Sequence, residues 1–465
     1  MLDLSKYKKI HCIGIGGIGL SAIAEVLLFG GHAVSGSDMK ENDIVLKLRE
    51  SGICVNIGQN EENVKDIDLI VYSSAVSEDN VEIKAAKERG IPCCSRAEVL
   101  GAIMRDYKNS IAVSGTHGKT TTTSMVSLIL QNALKDPTIL VGGNLGEING
   151  NVRVGKSEYI VTEACEYRDS FLELNPYIEI ILNIDSDHLD YFKDIDHIAK
   201  SFAKFAGCVP SDGTVIAFDA NPFVKSIIDD LECDVITFGF NEHCDYYASE
   251  ISFNAKGCPK FKVNYRGEEL FEMHMSIPGE HNIANALAAI ACTRKLGIET
   301  EYIIETLSAY KGTQRRFDII GVTGTGVTLV DDYAHHPTEI KATLKAARNV
   351  EHKKLWCLFQ PHTYTRTLAL FDSFAESFRH ADKIVIAEIY AAREKNTYNI
   401  SSKKLVEEIK KQCPDKEVYF FEDFEGIAGF VLNNADRGDL VITMGAGDIY
   451  KVAEMILEKD GEMQR

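Results

Sequence analysis

Several features that would indicate other classes of protein are missing from this chain of 465 residues. Its 12 cysteines include no CxxC pair, so zinc-ribbon and thioredoxin-type sites lack the spacing that identifies them. Lys and Arg number 50 against 69 Asp and Glu, and the resulting net charge of −19 argues against a general nucleic-acid binder. No stretch holds 18 uncharged apolar residues, so we expect no membrane span and no membrane partner.

The cysteines and the N-terminal segment indicate where the protein works. Cysteines such as Cys12, Cys292 and Cys357 stand in apolar runs, which is typical of buried reduced thiols. The apolar run near the N-terminus is interrupted by Glu25 and by several glycines, unlike a secretory signal peptide. We therefore expect a cytoplasmic protein, present as a monomer or a homodimer.

Short apolar runs alternate with helical patterns through most of the chain, which predicts an α/β fold with helix-covered parallel sheets. Three blocks each open with a strand and a glycine-bearing loop. We predict a Rossmann-like N-terminal domain over residues 1–107, a P-loop-type central ATPase domain over 108–314 and a Rossmann-like C-terminal domain over 315–465. Alternating residues over 234–275 predict an antiparallel patch within the central block.

A glycine-bearing loop between a strand at 111–114 and a helix predicts a triphosphate site. The loop reads Gly115, Thr116, His117, Gly118, Lys119, Thr120 and Thr121. Its backbone N–H groups and the helix N-terminus attract phosphate oxygens, Lys119 adds a full positive charge, and Thr120 offers a hydroxyl to Mg²⁺. Only two residues separate the glycines where the usual P-loop has four, so this is a shortened variant.

Metal-binding side chains follow the next two predicted strands. Glu163 ends a strand at 159–162, and His188 follows a strand at 178–183. If these strands neighbour the loop strand, Thr120, Glu163 and His188 meet at one sheet edge and suit Mg²⁺. A capping or core histidine is the alternative for His188.

The first glycine loop matches the dinucleotide fingerprint in spacing and context. It follows a strand, opens a helix and contains Gly14, Gly16, Gly17 and Gly19, with Asp38 ending the next strand. One interpretation is an NAD site in a dehydrogenase, and the other is a site for the diphosphate of a different nucleotide. The separate triphosphate loop favours the second.

Polar residues are dense after two strands of the third block. Asp331, Asp332, Tyr333 and His335 predict hydrogen bonding to ribose and to an amino-acid substrate, whereas adjacent histidines with no third ligand make a poor zinc site. His362 and Arg366 follow the next strand, where Arg366 suits a two-pronged grip on a carboxylate or stands as a surface arginine. Arg316, at the second boundary, suits a transferred phosphate.

Taken in order, these motifs resemble the Mur ligase family, and the resemblance covers nearly the whole chain. It rests on residues 14–19, 73–76, 115–122, 163–166, 187–190, 281–285, 315–317, 331–339, 360–367 and 444–448. The stretches at 331–339 and 360–367 are similar to the family's alanine-adding branch.

The resemblance implies a role for each set of residues. The sugar-nucleotide substrate would be held by Gly14, Gly16, Gly17, Gly19, Asp38, Ser73, Ser74, Ala75 and Val76. ATP would be held by residues 115–121 together with His281, Asn282, Asn285, Arg316, Asp331 and Asp332. The amino acid would be surrounded by Tyr333, His335, His362 and Arg366. Mg²⁺ would be bound by Thr120, Glu163 and His188, and the catalytic groups would be Lys119, His188, Arg316 and His335.

The implied activity is ATP-dependent joining of L-alanine to the lactyl carboxylate of UDP-N-acetylmuramate, through an acyl phosphate and with release of ADP and phosphate. Either His188 or His335 would take the proton of the attacking amine. Three alternatives stay open: a sibling ligase that joins a preformed peptide to the same sugar nucleotide, an NAD-dependent oxidoreductase, and a non-catalytic nucleotide sensor.

Two positions depart from the family pattern. Cys165 stands where many members have Asp, so this chain has a thiol in place of a carboxylate two residues after Glu163. Thr363 stands where many members have Arg, so recognition of a carboxylate must depend on Arg366.

Overall fold

The computed structural model describes residues 2–73 and 75–463. It is a mixed α/β protein whose described residues form two compact units. Unit 1 takes the described residues of 1–183, 199–237 and 288–303, and unit 2 takes those of 184–198, 238–287 and 304–465. Among the described residues, no helix is both long and apolar enough to span a membrane.

The first sheet, in unit 1, is parallel throughout and confirms the Rossmann-like prediction. Its strands are β1 (Lys9–Ile13), β2 (Ala33–Asp38), β3 (Cys54–Ile57), β4 (Leu69–Tyr72) and β5 (Cys93–Ser95), in the order β3-β2-β1-β4-β5. The helices are α1 (Ile18–Phe29), α2 (Asp43–Glu50), α3 (Val81–Glu88) and α4 (Arg96–Met104). The strand order reverses beside β1, so the loop after β1 lies at a ligand-binding switch point.

The second sheet begins with the strand that precedes the phosphate loop. Within unit 1 its strands are β6 (Asn109–Ser114), β7 (Thr138–Leu145), β8 (Gly150–Arg153), β9 (Tyr159–Glu163), β10 (Ile178–Ile181) and β11 (Thr214–Phe218). Their order is β11-β10-β6-β9-β7-β8, parallel except for β8 at the edge. Helices α5 (Lys119–Asn132), α6 (Ile195–Ala206) and α7 (Pro222–Ile228) follow its strands. β6 therefore lies between β10 and β9, as the metal-site prediction required.

The antiparallel patch predicted at 234–275 is present, except that its first strand is parallel to the next. The strands are β12 (Asp234–Gly239), β13 (Tyr246–Phe253), β14 (Pro259–Tyr265) and β15 (Glu268–His274). β13, β14 and β15 are antiparallel, while the end of β12 is parallel to β13. Arg266 and Gly267 form the turn between β14 and β15 with positive φ angles. Helices α8 (His281–Lys295) and α9 (Thr300–Ala309) come next.

The third sheet lies in unit 2 and again confirms a Rossmann-like arrangement. Its strands are β16 (Asp318–Val322), β17 (Thr328–Asp332), β18 (Leu355–Phe359), β19 (Lys383–Ile386), β20 (Glu417–Phe420) and β21 (Leu440–Met444), in the order β16-β17-β21-β18-β19-β20. Only β16 runs antiparallel to its neighbour. The helices are α10 (Pro337–Arg348), α11 (Tyr364–Ala369), α12 (Phe371–Ala375), α13 (Ser402–Gln412), α14 (Phe424–Asn434) and α15 (Tyr450–Met463).

This sheet has a hydrophobic core on each face. Leu355, Cys357 and Phe359 of β18 belong to one buried cluster, whereas Trp356 and Leu358 belong to the other. Alternation of this kind follows from the two-residue period of a strand and explains the unbroken apolar run in the sequence. The predicted boundaries at residues 107 and 314 fall between elements, after α4 and after α9, and remain a prediction.

Candidate active site

The glycine loop between β1 and α1 is folded against the end of β2. The backbone N–H groups of Gly14 and Ile15 donate to the carbonyl of Ser37 at 2.8 and 3.1 Å. The N–H of Gly16 donates to Asp38 Oδ2 at 2.9 Å. A Cβ on Gly16 would lie 2.9 Å from the same oxygen, so any larger residue there would displace the Asp38 carboxylate. Asp38 thus holds the loop in its curved shape.

The segment after β4 lies beside the same loop. Ser73 Oγ would be 3.2 Å from a Cβ placed on Gly14. The N–H of Val76 donates to the carbonyl of Ser73 at 3.0 Å, which turns the chain at this point. Ser74, predicted to contact the sugar nucleotide, lies outside the described residues. The strand ends therefore bring Ser73 to the predicted diphosphate loop.

A cation that the sequence analysis missed also stands at this loop. The guanidinium of Arg96 lies 3.2 Å from the position that a Cβ on Gly19 would occupy. Arg96 is the first residue of α4, which a capping box between Ser95 and Glu98 begins directly after β5. That Ser-x-x-Glu signal places Arg96 at the carboxyl edge of the parallel sheet, where a positive charge suits a diphosphate.

The phosphate loop joins β6 to α5 as predicted. Gly115 has φ of +130°, and a Cβ there would lie 2.9 Å from the Cβ of Leu182. Gly118 has φ of +87° and is the N-cap of α5. Because Gly118 has no side chain to cap the helix, the first N–H groups of α5 are left for a ligand, and an anion suits that position.

Asn183, two residues after the neighbouring strand β10, clamps the phosphate loop. Its Oδ1 accepts the N–H of His117 at 2.8 Å, and its Nδ2 donates to the carbonyl of His117 at 3.0 Å. Its own carbonyl accepts the N–H of Thr116 at 3.1 Å. Three bonds from one residue fix the shortened loop, a role that the sequence analysis did not assign to it.

Lys119 is paired with a buried carboxylate that also escaped the sequence analysis. Its Nζ lies 2.9 Å from Glu166 Oε2 and donates to the carbonyls of Gly115 and Thr116. The side chain of Glu166 is only 3% exposed and that of Lys119 is 15% exposed. Burial opposes the charged form of the lysine, but the negative charge of Glu166 raises the pKa of Lys119 above its ordinary value. The lysine is therefore positively charged at neutral pH.

The two predicted metal ligands of unit 1 are oxygen donors next to this lysine. Glu163 ends β9 and accepts the N–H of Gly142 at 2.6 Å. Its negative charge contributes to the raised pKa of Lys119, and Thr120 is the next residue along α5. A carboxylate and a hydroxyl are hard oxygen ligands that fit Mg²⁺.

In unit 2, a two-pronged ion pair joins Asp187 to Arg366. The Nε and Nη2 atoms of Arg366 both lie 3.1 Å from Asp187 Oδ1, and Nη2 lies 3.3 Å from Oδ2. Asp187 is 8% exposed. Burial disfavours its charge, yet Arg366 and His188 lower the pKa of Asp187 well below its usual range. The predicted grip on a carboxylate is present, but the carboxylate is the protein's own.

His188 follows Asp187 in a conformation that is rare outside glycine. Its φ is +54°, and its backbone N–H donates to Asp187 Oδ1 at 2.7 Å. Its Nε2 lies 3.9 Å from Asp187 Oδ2. A strained backbone held by such contacts is common at functional sites.

Two histidines and two tyrosines lie together after β17, β18 and β19. His335 Nδ1 donates to the carbonyl of Tyr333 at 3.0 Å, which leaves its Nε2 as a proton acceptor. His362 stacks on Tyr390 with ring centroids 5.5 Å apart, and its Nδ1 accepts from Arg366 Nη1 at 3.3 Å. The rings of His335 and His362 are 6.2 Å apart. Burial lowers the pKa of both imidazoles to about 4, so both are neutral at pH 7.

Arg315 and Asp331 bind each other within the third sheet's domain. Arg315 Nε donates to Asp331 Oδ2 at 2.8 Å, and its guanidinium lies between the rings of Tyr333 and Tyr450. Thr443 Oγ1 donates to Asp331 Oδ1 at 2.7 Å. The prediction began a polar loop at Asp331, but this residue belongs to β17, paired in register with Thr443. Its carboxylate is buried because these donors satisfy it.

Arg316 and Asp332 are arranged differently from that pair. The guanidinium of Arg316 lies over the ring of Tyr333 and 3.9 Å from Glu339 Oε1. Asp332 accepts the backbone N–H groups of Phe317 and Ala334 at 2.8 and 2.7 Å. Burial raises the pKa of Asp332 to about 6, although the charge of Arg316 opposes this. Arg316 thus places its positively charged guanidinium against the ring of Tyr333.

The predicted adenine contacts lie at the start of α8. Asn282 Nδ2 donates to the carbonyl of Pro278 at 2.7 Å, and Asn285 Nδ2 donates to Asn282 Oδ1 at 3.0 Å. Both asparagines are 6% exposed, whereas His281 is exposed. The amides therefore shape the first turn of the helix around its N-terminus.

Comparisons with known proteins match this arrangement along the whole chain. A UDP-N-acetylmuramate–L-alanine ligase of Caldanaerobacter subterraneus subsp. tengcongensis is 53% identical over 99% of both chains, and one of Acetivibrio thermocellus is 50% identical over 100% of this chain and 98% of its own. Family models for a Mur ligase catalytic domain, middle domain and glutamate ligase domain match residues 9–108, 113–293 and 315–447. The chain belongs to the Mur ligase family.

Solved Mur ligase structures support the same assignment. The UDP-N-acetylmuramate–alanine ligase MurC of Thermotoga maritima is 30% identical, with a TM-score of 0.82 over 98% of this chain and 99% of its own. A murein peptide ligase of Psychrobacter arcticus is 25% identical, with a TM-score of 0.73 over the same shares. The three-domain α/β architecture predicted for this chain is thereby confirmed.

The two departures from the Mur ligase pattern now have structural descriptions. Burial, together with the charge of Glu166, raises the pKa of the Cys165 thiol, so it is neutral beside Lys119. Thr363 has φ of +63° and is the N-cap of α11, where its Oγ1 accepts the N–H of Arg366 at 3.4 Å. Thr363 therefore starts the helix that carries the arginine.

Proposed function

We propose that this Mur ligase joins L-alanine to the lactyl carboxylate of UDP-N-acetylmuramate, consuming ATP and releasing ADP and phosphate. The reaction would supply a precursor of peptidoglycan. The observation that carries the proposal is the 50–53% identity, over essentially the full length, to ligases that bear this name. The positively charged Lys119 in a glycine loop at a helix N-terminus supports ATP as the phosphoryl donor.

The chemistry requires the carboxylate to be activated first. A lactyl carboxylate oxygen would attack the γ-phosphorus of ATP, and the bond from that phosphorus to the bridging oxygen would break. ADP would depart as the leaving group, and the product on the sugar nucleotide would be an acyl phosphate. Lys119 and the N–H groups that open α5 would neutralise the charge spread over the transferred phosphoryl group. We assign ATP to residues 115–121, with His281, Asn282, Asn285, Arg316, Asp331 and Asp332 as further contacts.

The second step would form the amide bond. The amine of alanine would attack the acyl carbon, and the tetrahedral intermediate would expel phosphate. We assign His335 as the base that takes the proton of the attacking amine. Its Nδ1–H donates to the carbonyl of Tyr333, so its Nε2 is the atom that can accept a proton. His362 has the opposite tautomer, since its Nδ1 accepts from Arg366. His188 stays the alternative base.

We assign Mg²⁺ to Thr120, Glu163 and His188, as the family resemblance implies. When bound, the ion would neutralise charge on the β- and γ-phosphates. Glu163 is the ligand best supported in unit 1, because the backbone N–H of Gly142 donates to one of its oxygens and so fixes the orientation of the carboxylate.

The amino acid would lie among Tyr333, His335, His362 and Arg366. Arg366 gives its Nε and Nη2 atoms to Asp187, so its Nη1 atom, which faces His362, is the part left for a substrate carboxylate. The sugar nucleotide would be held by the loop at 14–19 with Asp38, Ser73, Ala75, Val76 and, from the sequence alone, Ser74. We add Arg96 to this set because its guanidinium lies beside Gly19.

We place the reaction in the cytoplasm, with neither nucleic acid nor membrane as a partner and with a monomer or homodimer as the working form. The 12 cysteines, which all lie within the described residues, form no disulfide, and this suits a reducing compartment. The domain boundaries at 107 and 314 belong to the same proposal.

A phosphate-release assay tests the function directly. Purified protein is given ATP, Mg²⁺ and UDP-N-acetylmuramate, and L-alanine, glycine, L-serine or a tripeptide is added in turn. Release that depends on L-alanine, with a product of the expected mass, is the predicted result. Release with the tripeptide alone would identify the sibling ligase, and no release with any acceptor would favour the sensor or the oxidoreductase.

A further inference from the structure

A fully buried carboxylate in the first sheet's domain contacts three other segments of the chain. Glu82, in the first turn of α3, is 0% exposed. Its Oε2 accepts from Ser37 Oγ at 2.6 Å and lies 3.8 Å from His11 Nε2. Its Oε1 accepts from Asn63 Nδ2 at 2.6 Å and from the N–H of Asn60 at 3.2 Å. One side chain thus connects β1, β2, α3 and the connection after β3.

Glu82 is ionised despite its burial. Burial opposes the charge, but the nearby His11 imidazole and hydrogen bonds from Ser37 and Asn63 lower the pKa of Glu82 below its ordinary value. Its position in the first turn of α3 adds the favourable field of the helix N-terminus. The carboxylate therefore acts only as an acceptor, and its neighbours must point their donors at it.

Ser37, one of the two residues whose side chains donate to Glu82 at 2.6 Å, also supports the glycine loop. The carbonyl of Ser37 accepts the N–H groups of Gly14 and Ile15. The next residue, Asp38, accepts the N–H of Gly16. Any movement of Ser37 is consequently passed to three successive N–H groups of the loop.

We propose that Glu82 is a positioning residue for the sugar-nucleotide site, acting through Ser37 on the glycine loop at 14–19. The inference rests on the proposed function, because it takes that loop as the site for the diphosphate. The chain of contact runs from Glu82 Oε2 to the Ser37 hydroxyl, and from the Ser37 carbonyl to Gly14 and Ile15.

A purely structural role does not account for this choice of residue. A buried carboxylate costs solvation energy, and apolar residues of similar volume usually stabilise a core at least as well. Only an acceptor, however, can fix the directions of the Ser37 hydroxyl and the Asn63 amide at once. The hydrogen bonds of Glu82 therefore fix the position of Ser37 relative to the glycine loop at 14–19.

Equilibrium binding of UDP-N-acetylmuramate to the full chain tests the proposal, with Glu82→Gln and Ser37→Ala as the variants. Each is expected to raise the Kd about 10-fold, equivalent to about 1.4 kcal/mol. The KM for ATP and for alanine, and kcat with all substrates saturating, should stay within about twofold of wild type. A substitution that affects only stability would instead lower the melting temperature and leave the Kd for UDP-N-acetylmuramate unchanged.

Asp68→Asn is the matched control. Asp68 Oδ2 accepts the N–H groups of Lys8 and Lys9 at 2.8 Å each, so it anchors β1 at the opposite end from the loop. We expect its Kd for the sugar nucleotide to equal that of wild type. Because Glu82 and Ser37 act through one contact, the double variant should bind no more weakly than the weaker single variant.

The outcomes separate this inference from the proposed site. Additive losses in the double variant, an equal loss in Asp68→Asn, or wild-type Kd values in both single variants would overturn the role of Glu82. Asp38→Ala serves as the direct test of the loop. If Asp38→Ala binds weakly while Glu82→Gln and Ser37→Ala bind normally, only the inference fails, whereas normal binding by all three removes the site itself. Should Glu82→Gln not fold, Ser37→Ala decides alone.

Discussion

Replacing Lys119 by methionine removes a positive charge that serves two purposes. The ammonium group lies 2.9 Å from Glu166 and at the start of α5, where the transferred phosphoryl group would bind. Methionine keeps most of the volume and the unbranched shape. The variant therefore loses the charge on the phosphate and leaves the carboxylate of Glu166 buried without its partner.

The structure sets the size of both effects. At an effective dielectric constant of 20, unit charges at this separation attract by about 6 kcal/mol, and desolvation offsets much of that. Removing one partner of a buried pair costs about 3–5 kcal/mol, which corresponds to a fall of about 6–20 °C in the melting temperature of a domain of this size. Turnover should fall about 10³-fold or more, since the positive charge stabilises the phosphoryl group in the transition state of its transfer.

A double variant separates the two purposes. Lys119→Met with Glu166→Gln replaces the ion pair by two neutral groups, so most of the lost melting temperature should return. Turnover should stay as low as in the single variant. Calorimetry, phosphate release and equilibrium binding of UDP-N-acetylmuramate together measure these results, and the sugar nucleotide should bind normally to both variants because its loop follows β1.

Two results would refute this reasoning. Turnover near the wild-type rate in Lys119→Met would remove ATP from the loop at 115–121. A double variant that melts no higher than Lys119→Met would show that the buried charge of Glu166 is not what destabilises the single variant.

Two further predictions concern His335 and Asn183. The pKa of His335 is about 4 in the folded protein, against an ordinary value of 6.5. The neutral imidazole therefore contributes fully to the free energy of unfolding above about pH 6.5. This contribution, up to about 3 kcal/mol, is lost as the pH falls from 6.5 through 4. His335→Gln should flatten this part of the pH dependence of denaturant unfolding, and an unaltered slope would count against the lowered pKa. Asn183→Ala removes both side-chain bonds to His117, so the KM for ATP should rise about 10-fold while the Kd of the sugar nucleotide holds; an unchanged KM would contradict the clamp.

The sheets were predictable because their signals are local. Buried parallel strands read as unbroken apolar runs, and each glycine loop directly follows its strand. Errors fell at the ends of strands: the strand predicted at 178–183 is β10, which ends at Ile181. β16 was not predicted, because its apolar run is only two residues long before Gly321 interrupts it, and in the structure this antiparallel edge strand leaves Ile319 64% exposed.

The partners of the site residues were much harder to predict. Glu166 stands only three residues after Glu163, yet nothing in the local sequence shows that its carboxylate pairs with Lys119. Asn183 looked like the end of a buried strand, although its amide clamps a loop 66 residues earlier in the chain. Such contacts depend on which strands become neighbours, and one sequence does not contain that information.

Arg366 shows how a correct chemical prediction can identify a different partner. The sequence predicted a two-pronged grip on a carboxylate, and the structure contains that grip on Asp187, 179 residues earlier in the chain. The ion pair fixes the guanidinium and leaves Nη1 facing His362. The departure at Thr363 contributes to the same arrangement, because its hydroxyl caps the helix that carries Arg366. Where the family resemblance implied a second cation, this chain has a residue that orients the first.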